Sequence, residues 1–231
     1  MRIALISDIH SNLEALHAVL QNINKKDIDK IVGLGDIVGY GANPNEVIKL
    51  LQEIKADCIQ GNHDLHAVTL SKLDWFNQWA REALLWTNKQ LTAENKEWLM
   101  KLPLSFEITH GKNKLYAVHG SPRDELYEYI YPTTDEETIR EFFVQKKATV
   151  IAAGHTHLPD LKRIGANLFI NPGSVGQPRN NDTRASYAII DLEDINFVSI
   201  EKIDYDIDTA TKKIIKAGLP RYLAERLHLG R

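Results

Sequence analysis

The sequence has little cysteine, no excess of basic charge and no long apolar run. Its 231 residues include one cysteine, Cys58, so no disulfide can form within the chain, as is typical of proteins from a reducing compartment. Lysine and arginine number 28 against 31 acidic residues, which gives a net charge of −3. This balance argues against a protein with a dedicated nucleic-acid surface, which would normally carry a basic stripe.

Membrane and export signals are also missing from the sequence. No stretch approaches the roughly 18 consecutive apolar residues that a membrane-spanning helix requires. The apolar run after Met1 ends at Asp8 and is too short for a signal peptide. We therefore expect a soluble, cytoplasmic protein with no membrane partner.

The more abundant residue types indicate a folded protein in which histidines are available as metal ligands. Apolar residues make up 43% of the chain, far from the composition of disordered proteins. The length fits one generous α/β domain over residues 1–231 better than two independent units. Nine histidines accompany the single cysteine, so imidazole and carboxylate groups would have to hold any bound metal.

The first sixty residues alternate between strand and helix patterns. Short apolar runs predict strands at 2–6, 31–34 and 58–60, each followed by glycine or polar residues. Apolar residues at helical spacing predict helices beginning after Asn12 and after Asn43. The β-α-β-α-β order predicts a parallel sheet covered by helices, and thus an α/β fold.

The rest of the chain changes character twice. Residues 65–102 hold all four tryptophans at helical spacings and predict a helical insertion whose aromatic face packs on the sheet. A hairpin is expected over 104–118, and a C-terminal helical tail over 208–231, broken near Gly218. Between them we predict a helix at 135–147 and strands at 150–153, 161–164, 167–170, 185–191 and 196–203.

Chemically active side chains recur where predicted strands end. Ligands of open α/β sheets bind outside the carboxyl ends of the strands, so five such junctions would meet at one edge. Glycines beside these side chains supply tight turns and allow close approach of the backbone. The five junctions are Asp8-Ile9-His10, Gly35-Asp36, Gly61-Asn62-His63, Val118-His119-Gly120 and Gly154-His155-Thr156-His157.

This set of donors suits a site for two metal ions. Mixed nitrogen and oxygen donors favour Mn, Fe, Co, Ni or Zn over Mg or Ca, and we expect Mn foremost. Asp36 is the carboxylate able to bridge the two ions. The predicted ligands are Asp8, His10 and His157 for one ion, and Asn62, His119 and His155 for the other.

The same motifs, in the same order, resemble the calcineurin-like metallophosphoesterases. That signature consists of Asp-x-His, Gly-Asp, Gly-Asn-His-Asp/Glu, a lone His and Gly-His-x-His, and it covers residues 1–190 with no ligand position missing. Residues 171–176 and the Gly39-Tyr40 pair look most like the small bacterial and archaeal phosphodiesterase branch, often labelled diadenosine-tetraphosphatase-like. The resemblance implies a four-layer α-β-β-α sandwich of two mixed β-sheets, with a dinuclear site at one edge.

The resemblance also implies an activity. Two divalent ions would activate a hydroxide that attacks the phosphorus of a phosphodiester or another small phosphate ester, with nucleotide-type substrates favoured. His63 would lie over the site as a catalytic residue rather than a ligand. It would stabilise the transition state or protonate the leaving oxygen.

One departure from the family concerns the residues that follow Asp36. In the protein Ser/Thr phosphatases, an Asp and an Arg occupy the positions of Gly39 and Tyr40 in this chain. Their absence weakens the general-acid role of His63 and argues against phosphoprotein substrates. Tyr40 and Arg179 are the predicted substrate-binding residues, although Arg179 could equally be a solvated loop charge.

A second interpretation belongs to another class, a non-catalytic scaffold or interaction subunit with the same fold. Such proteins lose metal ligands, whereas this chain retains all seven, so an enzyme is favoured. The remaining candidates fit structural roles, because Cys58 lies in an apolar run and Ser174 lies in a glycine-rich turn without a nearby base. The other histidines, expected at the surface or in packing, are His17, His66, His110 and His228.

Overall fold

Short runs rich in Ile, Val, Leu and Ala become strands, and longer amphipathic segments become helices. A computed structural model describes residues 1–231. The strands are β1 (Arg2–Ile6), β2 (Lys30–Gly33), β3 (Asp57–Cys58), β4 (Ser105–His110), β5 (Asn113–Val118), β6 (Val150–Ala153), β7 (Pro159–Ile164), β8 (Asn167–Pro172), β9 (Ala185–Asp191) and β10 (Val198–Ile203). The helices are α1 (Leu13–Ile23), α2 (Pro44–Glu53), α3 (Asn62–Thr69), α4 (Gln78–Gln90), α5 (Ala93–Lys101), α6 (Glu136–Lys146), α7 (Ile207–Lys216) and α8 (Arg221–Glu225).

The ten strands form two mixed sheets of five. The first has the order β10-β9-β1-β2-β3, in which β1, β2 and β3 run parallel and β9 and β10 are antiparallel. The second has the order β4-β5-β6-β8-β7, with β5, β6 and β8 parallel and the two outer strands antiparallel. The parallel strands of both sheets carry the loops that form the site.

Alternation along the strands places the core on both faces of each sheet. Ile3 and Leu5 of β1 share a buried cluster with Leu115 of β5 and Ala152 of β6, so this cluster lies between the sheets. The intervening residues, Ala4 and Ile6 among them, pack with α1 and α2 on the outer face of the first sheet. On the outer face of the second sheet, strand residues pack against α6. The predicted four-layer α-β-β-α sandwich is confirmed.

Two predicted strands end earlier than expected. The sequence predicts strands at 31–34 and 58–60, but β2 ends at Gly33 and β3 at Cys58. After Cys58 the amide of Ile59 still donates to the Gly33 carbonyl, but the amide of Gln60 donates to Pro103. The chain therefore leaves the sheet just before it reaches Asn62.

Helices fill the stretch between β3 and β4, as predicted, and all eight helices are too short or too polar to cross a membrane. The expectation that their aromatic face packs on the sheet is only partly correct. Trp98 packs against the buried cluster of the first sheet, whereas Trp75 is 66% exposed. Trp79 stacks on Tyr222 of α8, with ring centroids 4.1 Å apart. The Trp79 ring turns away from the sheet toward its aromatic partner in the C-terminal segment, and the Trp75 ring packs edge-on to Tyr127, with ring centroids 5.5 Å apart.

Candidate metal centre

Five loops at the carboxyl ends of the parallel strands bring the predicted ligands together. The loops follow β1, β2 and β3 in the first sheet, and β5 and β6 in the second. Every one of the seven predicted side chains is buried, although each carries a polar or charged group. They are Asp8, His10, Asp36, Asn62, His119, His155 and His157.

One group joins the two sheets through Asp8, His10 and His157. Asp8 Oδ1 lies 3.3 Å from His157 Nε2 and 3.9 Å from His10 Nε2. The other carboxylate oxygen, Oδ2, accepts hydrogen bonds from the Ser7 hydroxyl at 2.6 Å and from the His155 amide at 3.1 Å. Asp8 Oδ1 is buried without a hydrogen-bond partner and faces the two imidazoles. It is therefore free to bind a cation.

A second group consists of Asp36, His119 and His155, with Asn62 beside them. His119 Nε2 lies 3.1 Å from both Asn62 Oδ1 and His155 Nδ1, and 3.5 Å from Asp36 Oδ1. The other oxygen of Asp36, Oδ2, lies 3.6 Å from Nε2 of His10 in the first group. Asp36 thus faces both groups, as a bridging carboxylate must.

The orientation of the imidazoles fits a bound cation. Nδ1 of His10 lies 3.1 Å from the Val38 carbonyl, and Nδ1 of His157 lies 2.6 Å from the Gln177 carbonyl. Since a carbonyl only accepts, both Nδ1 atoms carry the proton and a neutral ring keeps its lone pair on Nε2. The two Nε2 atoms face each other at 3.2 Å. Opposed lone pairs repel at this distance, so the arrangement requires a positive charge close to both.

Electrostatics at the centre agree with that requirement. Burial holds the pKa of His10 and that of His157 well below the ordinary value, so both rings are neutral at pH 7. Burial would also lower the pKa of His119, but the Asp36 carboxylate outweighs it and raises the pKa to about 9. In the absence of metal, a proton on His119 therefore supplies the positive charge that Asp36 attracts.

Several residues of the metal centre have left-handed backbone conformations, which residues other than glycine disfavour. Left-handed φ angles of non-glycine residues cost of the order of 1–3 kcal/mol each and cluster at functional sites. Five of the seven predicted ligands have such angles, and so does Tyr40. The six residues, with φ between 48° and 69°, are Asp8, His10, Asp36, Tyr40, His155 and His157.

His63 lies beside the predicted ligands, at the first turn of α3. Its amide donates to Asp36 Oδ1 at 2.8 Å, and its ring packs 4.8 Å from His10 and 4.6 Å from Tyr40. A Cβ on Gly39 would stand 2.6 Å from His63 Nδ1, and that nitrogen has no hydrogen-bond partner. The carboxylate that would orient His63 is therefore absent, as the sequence predicted. Burial lowers the pKa of His63 to about 4, which leaves the ring neutral at pH 7.

A cavity of about 390 Å³ opens above the cluster. The predicted substrate-binding residues Tyr40 and Arg179 both line it, so Arg179 is not a solvated loop charge. His63 and four of the predicted ligands line it as well. The sequence did not single out the remaining lining residues as part of a site, among them Phe76, Trp79, Tyr129, Tyr222 and Arg226. A Tyr-x-Tyr-x-Tyr pattern at 127–131 was the only local signal for Tyr129, whose ring stacks 3.8 Å from His155.

The residues expected to have structural roles have them. Cys58 is buried, and burial raises the pKa of its thiol to about 12, so it is not a nucleophile. The Ser174 hydroxyl donates to the Asp8 carbonyl at 2.7 Å and supports that loop. His66 is buried against Phe76 and lies 3.0 Å from the Tyr127 hydroxyl. The Asn171 amide donates to the Gly154 carbonyl and the Thr156 hydroxyl, which holds the loop between His155 and His157.

A two-sheet α/β sandwich with buried imidazoles and carboxylates at its strand ends defines a metal-binding class of protein. Comparison with known proteins identifies the class. The model of the calcineurin-like phosphoesterase superfamily domain matches residues 1–195. The chain belongs to the calcineurin-like phosphoesterase superfamily, and the resemblance seen in the sequence is confirmed.

Individual relatives span almost the whole chain. A metallophosphoesterase from Sphaerobacter thermophilus, known from its crystal structure, is 37% identical with a TM-score of 0.83, covering 100% of this chain and 99% of that one. The uncharacterized protein MJ0912 of Methanocaldococcus jannaschii is 42% identical over 99% of this chain and 98% of its own length. Phosphodiesterase YfcE of Escherichia coli K12 is 24% identical over 87% and 92% of the two chains.

Proposed function

We propose that this protein hydrolyses phosphodiesters or small phosphate esters, nucleotide-type substrates among them, using water activated by two divalent metal ions. The observation that carries the proposal is the pair of facing Nε2 atoms of His10 and His157, with Asp36 between that pair and His119. A non-catalytic scaffold would have no need to bury these groups with their lone pairs opposed.

The proposed ligand sets follow from the two groups of side chains. Asp8, His10 and His157 would hold one ion. Asn62, His119 and His155 would hold the second, and Asp36, which faces both groups, would contribute to both. Mixed nitrogen and oxygen donors favour Mn, with Fe, Co, Ni or Zn as substitutes. Two such ions would lower the pKa of water toward neutrality and neutralise charge on the phosphoryl oxygens.

The chain's own residues orient the substrate and move a proton. The imidazoles of His10, His119 and His157 are each held by a carbonyl at Nδ1, which fixes the direction of Nε2 before any ion arrives. The neutral ring of His63 carries one N–H, and this donates to the leaving or the nonbridging oxygen. The Arg179 guanidinium and the Tyr40 hydroxyl bind the phosphate from the cavity side.

The net charge of the chain and the volume of the cavity both favour a small substrate over a polymer. With a net charge of −3, the chain offers no long cationic track for a polymeric substrate. A cavity of about 390 Å³ lies in the range of small-molecule sites. The diadenosine-tetraphosphatase-like character and the cytoplasmic location stay predictions from the sequence, the second supported by the lone buried cysteine.

The test is hydrolysis of bis-p-nitrophenyl phosphate by protein stripped with EDTA and reloaded with Mn, Co, Ni, Zn or Mg. We expect no turnover in the stripped protein and restored turnover with Mn, together with two ions per chain by elemental analysis. Absence of turnover on this diester and on p-nitrophenyl phosphate with every ion would overturn the proposal and favour the scaffold.

A further inference from the structure

The wall of the cavity opposite the metal centre is built by the C-terminal segment. Helix α8 and the 3₁₀ turn Arg226–Leu229 that follows it lie beyond residues 1–195, where the match to the superfamily ends. Tyr222 and Arg226 of this segment line the same cavity as Asp36, His63 and Arg179. Residues beyond the part matched by the superfamily model thus complete the space in which a substrate would lie.

Two guanidinium groups face this cavity without an aspartate or glutamate partner. The arginines that form ion pairs in this protein are Arg81, Arg123 and Arg184. Arg179 donates through Nη2 to Gln177 Oε1 at 3.0 Å, and its buried Nε has no partner. Arg226 donates through Nε to the main-chain oxygen of Arg231. Most of the N–H groups of both side chains are therefore available to a ligand.

The two positive charges line the same cavity, and Tyr40 lies there with them. The Arg226 guanidinium is half-buried, and burial lowers its pKa, with the charge of Arg179 adding to that effect. Two like charges held together in a half-buried cavity are unfavourable unless an anion joins them.

Arg226 lies farther than Arg179 from the phosphate that would react. The Arg226 guanidinium lies 5.9 Å from the centre of the Tyr40 ring, and that ring lies 4.7 Å from His10 and 4.6 Å from His63. Tyr40 thus lies close both to Arg226 and to the metal centre. An anion bound by Arg226 would be a group of the substrate other than the phosphate above His63.

Aromatic rings form the remaining walls. Phe76 packs edge-on to His63 at 5.1 Å, and Trp79 stacks with Tyr222 beside Arg226. Tyr129 lies over His155, and the exposed Trp75 stands at the rim. Flat apolar walls beside cationic groups fit a ligand that combines a planar ring with phosphates.

We propose that Arg226 binds a second phosphate of the substrate, next to the reacting phosphate that Arg179 holds, and so makes this protein selective for nucleotide esters with at least two phosphate groups. The inference rests on the proposed function, because it places the reacting phosphate at the metal centre. Arg226 is the specificity-determining residue, and the C-terminal segment is the element that brings it to the site.

The first arm of the test measures binding without catalysis. Protein stripped with EDTA is titrated by calorimetry with ADP, AMP and pyrophosphate. Hydrogen bonds to charged groups of this kind change affinity by about tenfold or more, so ADP should bind at least about tenfold tighter than AMP. Pyrophosphate should bind more weakly than ADP, because it lacks the ring that the aromatic walls hold.

The second arm compares two variants of the same segment. Arg226→Gln should remove the preference for ADP over AMP. Arg221→Gln makes the same change of charge five positions earlier at an exposed residue of α8, and it should keep the preference. Equal affinities for ADP and AMP in the unchanged protein would overturn the inference, as would equal behaviour of the two variants.

The third arm uses the Mn-loaded enzyme, with ADP and AMP as inhibitors of bis-p-nitrophenyl phosphate hydrolysis. ADP should be the stronger inhibitor of the unchanged enzyme and of Arg221→Gln, but not of Arg226→Gln. If no ion restores turnover while the calorimetric preference persists and depends on Arg226, the proposed function fails and the phosphate subsite stands. If turnover is present and the preference is absent, the proposed function stands and the subsite is wrong.

Discussion

His10 and His157 come from different sheets, and their Nε2 atoms face each other at 3.2 Å. Each ring is turned to this position by a carbonyl that accepts from Nδ1, Val38 for one and Gln177 for the other. Asp8 Oδ1, buried and without a hydrogen-bond partner, completes the triangle. Three electron pairs directed at one point are unfavourable without a cation, so this arrangement fits a bound metal ion.

Metal binding should therefore stabilise the protein strongly. A ligand at 1,000 times its Kd adds about 4 kcal/mol to the free energy of unfolding, for each site that exists only in the folded state. We expect Mn to raise the Tm of EDTA-stripped protein in a differential scanning fluorimetry experiment. His157→Ala should lose most of that increase, whereas His17→Ala, at an exposed position of α1, should retain it. An equal increase in both variants would contradict the role of His157.

Asp36 should be indispensable for the occupancy of both ions. Its two oxygens face His119 and His10, so Asp36→Asn removes the negative charge shared by the two groups. We expect the variant to hold fewer than two Mn per chain by elemental analysis and to show no measurable turnover. Asp208→Asn, a matched change at an exposed residue, should bind and turn over normally. Turnover near that of the unchanged enzyme would remove Asp36 from the bridging role.

Metal affinity should rise with pH through the titration of His119. In the metal-free protein the pKa of His119 is about 9, above its ordinary value near 6.5, so its charged form adds stability below pH 6.5 that is lost as pH rises through 9. A metal ligand must be deprotonated, so ion uptake at pH 7 to 8 releases this proton. Calorimetry in buffers of different ionisation enthalpy should detect about one proton released from His119. No proton release at pH 7 would contradict the assignment.

Loss of the His63 side chain should lower turnover without changing the metal content. A positioned proton donor contributes about 10²- to 10⁴-fold to the rate, so His63→Ala should lower kcat by a factor in that range. Two ions per chain should remain, since the His63 side chain is not among the proposed ligands. Loss of metal in this variant would show that His63 is a ligand instead.

Gly39 should be required for turnover, because the absence of a side chain there leaves space for the His63 ring. A Cβ at this position would meet His63 Nδ1 at 2.6 Å, and the φ of +96° already disfavours a side chain. We expect Gly39→Ala to lower kcat at least about tenfold, the scale of a small misplacement of a catalytic group. Gly165→Ala serves as the control, since Gly165 also has a left-handed φ of +63° but no atom within 4 Å of the new Cβ. Equal turnover of the two variants would show that crowding at His63 has no effect.

The sequence predicted those parts of the molecule that depend on local pattern. Short apolar runs predicted the strands, and polar residues directly after each strand predicted which side chains meet. Asp8 and His157 are 149 positions apart in number, yet both follow strands whose carboxyl ends share one edge. The rule that places ligands at that edge is independent of sequence separation.

Other parts depend on contacts that no local pattern encodes. Arg226 reaches the cavity because α8 packs beside the helical stretch between β3 and β4, where Trp79 stacks on Tyr222. Nothing near Arg226 in the sequence distinguishes it from other arginines of the tail. Trp75 was expected on the sheet, but its exposure at the cavity rim follows from the path of the chain between α3 and α4. Such placements require the assembled tertiary structure.

Each candidate metal group combines side chains from both sheets, so a bound ion would connect the sheets mechanically. Asp8 and His10 follow β1 in the first sheet and His157 follows β6 in the second, while Asp36 of the first sheet faces His119 and His155 of the second. A bound ion is therefore a cross-link, and the sheets cannot separate without breaking its coordination. Hydrogen exchange of the β1 and β6 amides should slow together when metal is added, so that two layers open as one cooperative unit.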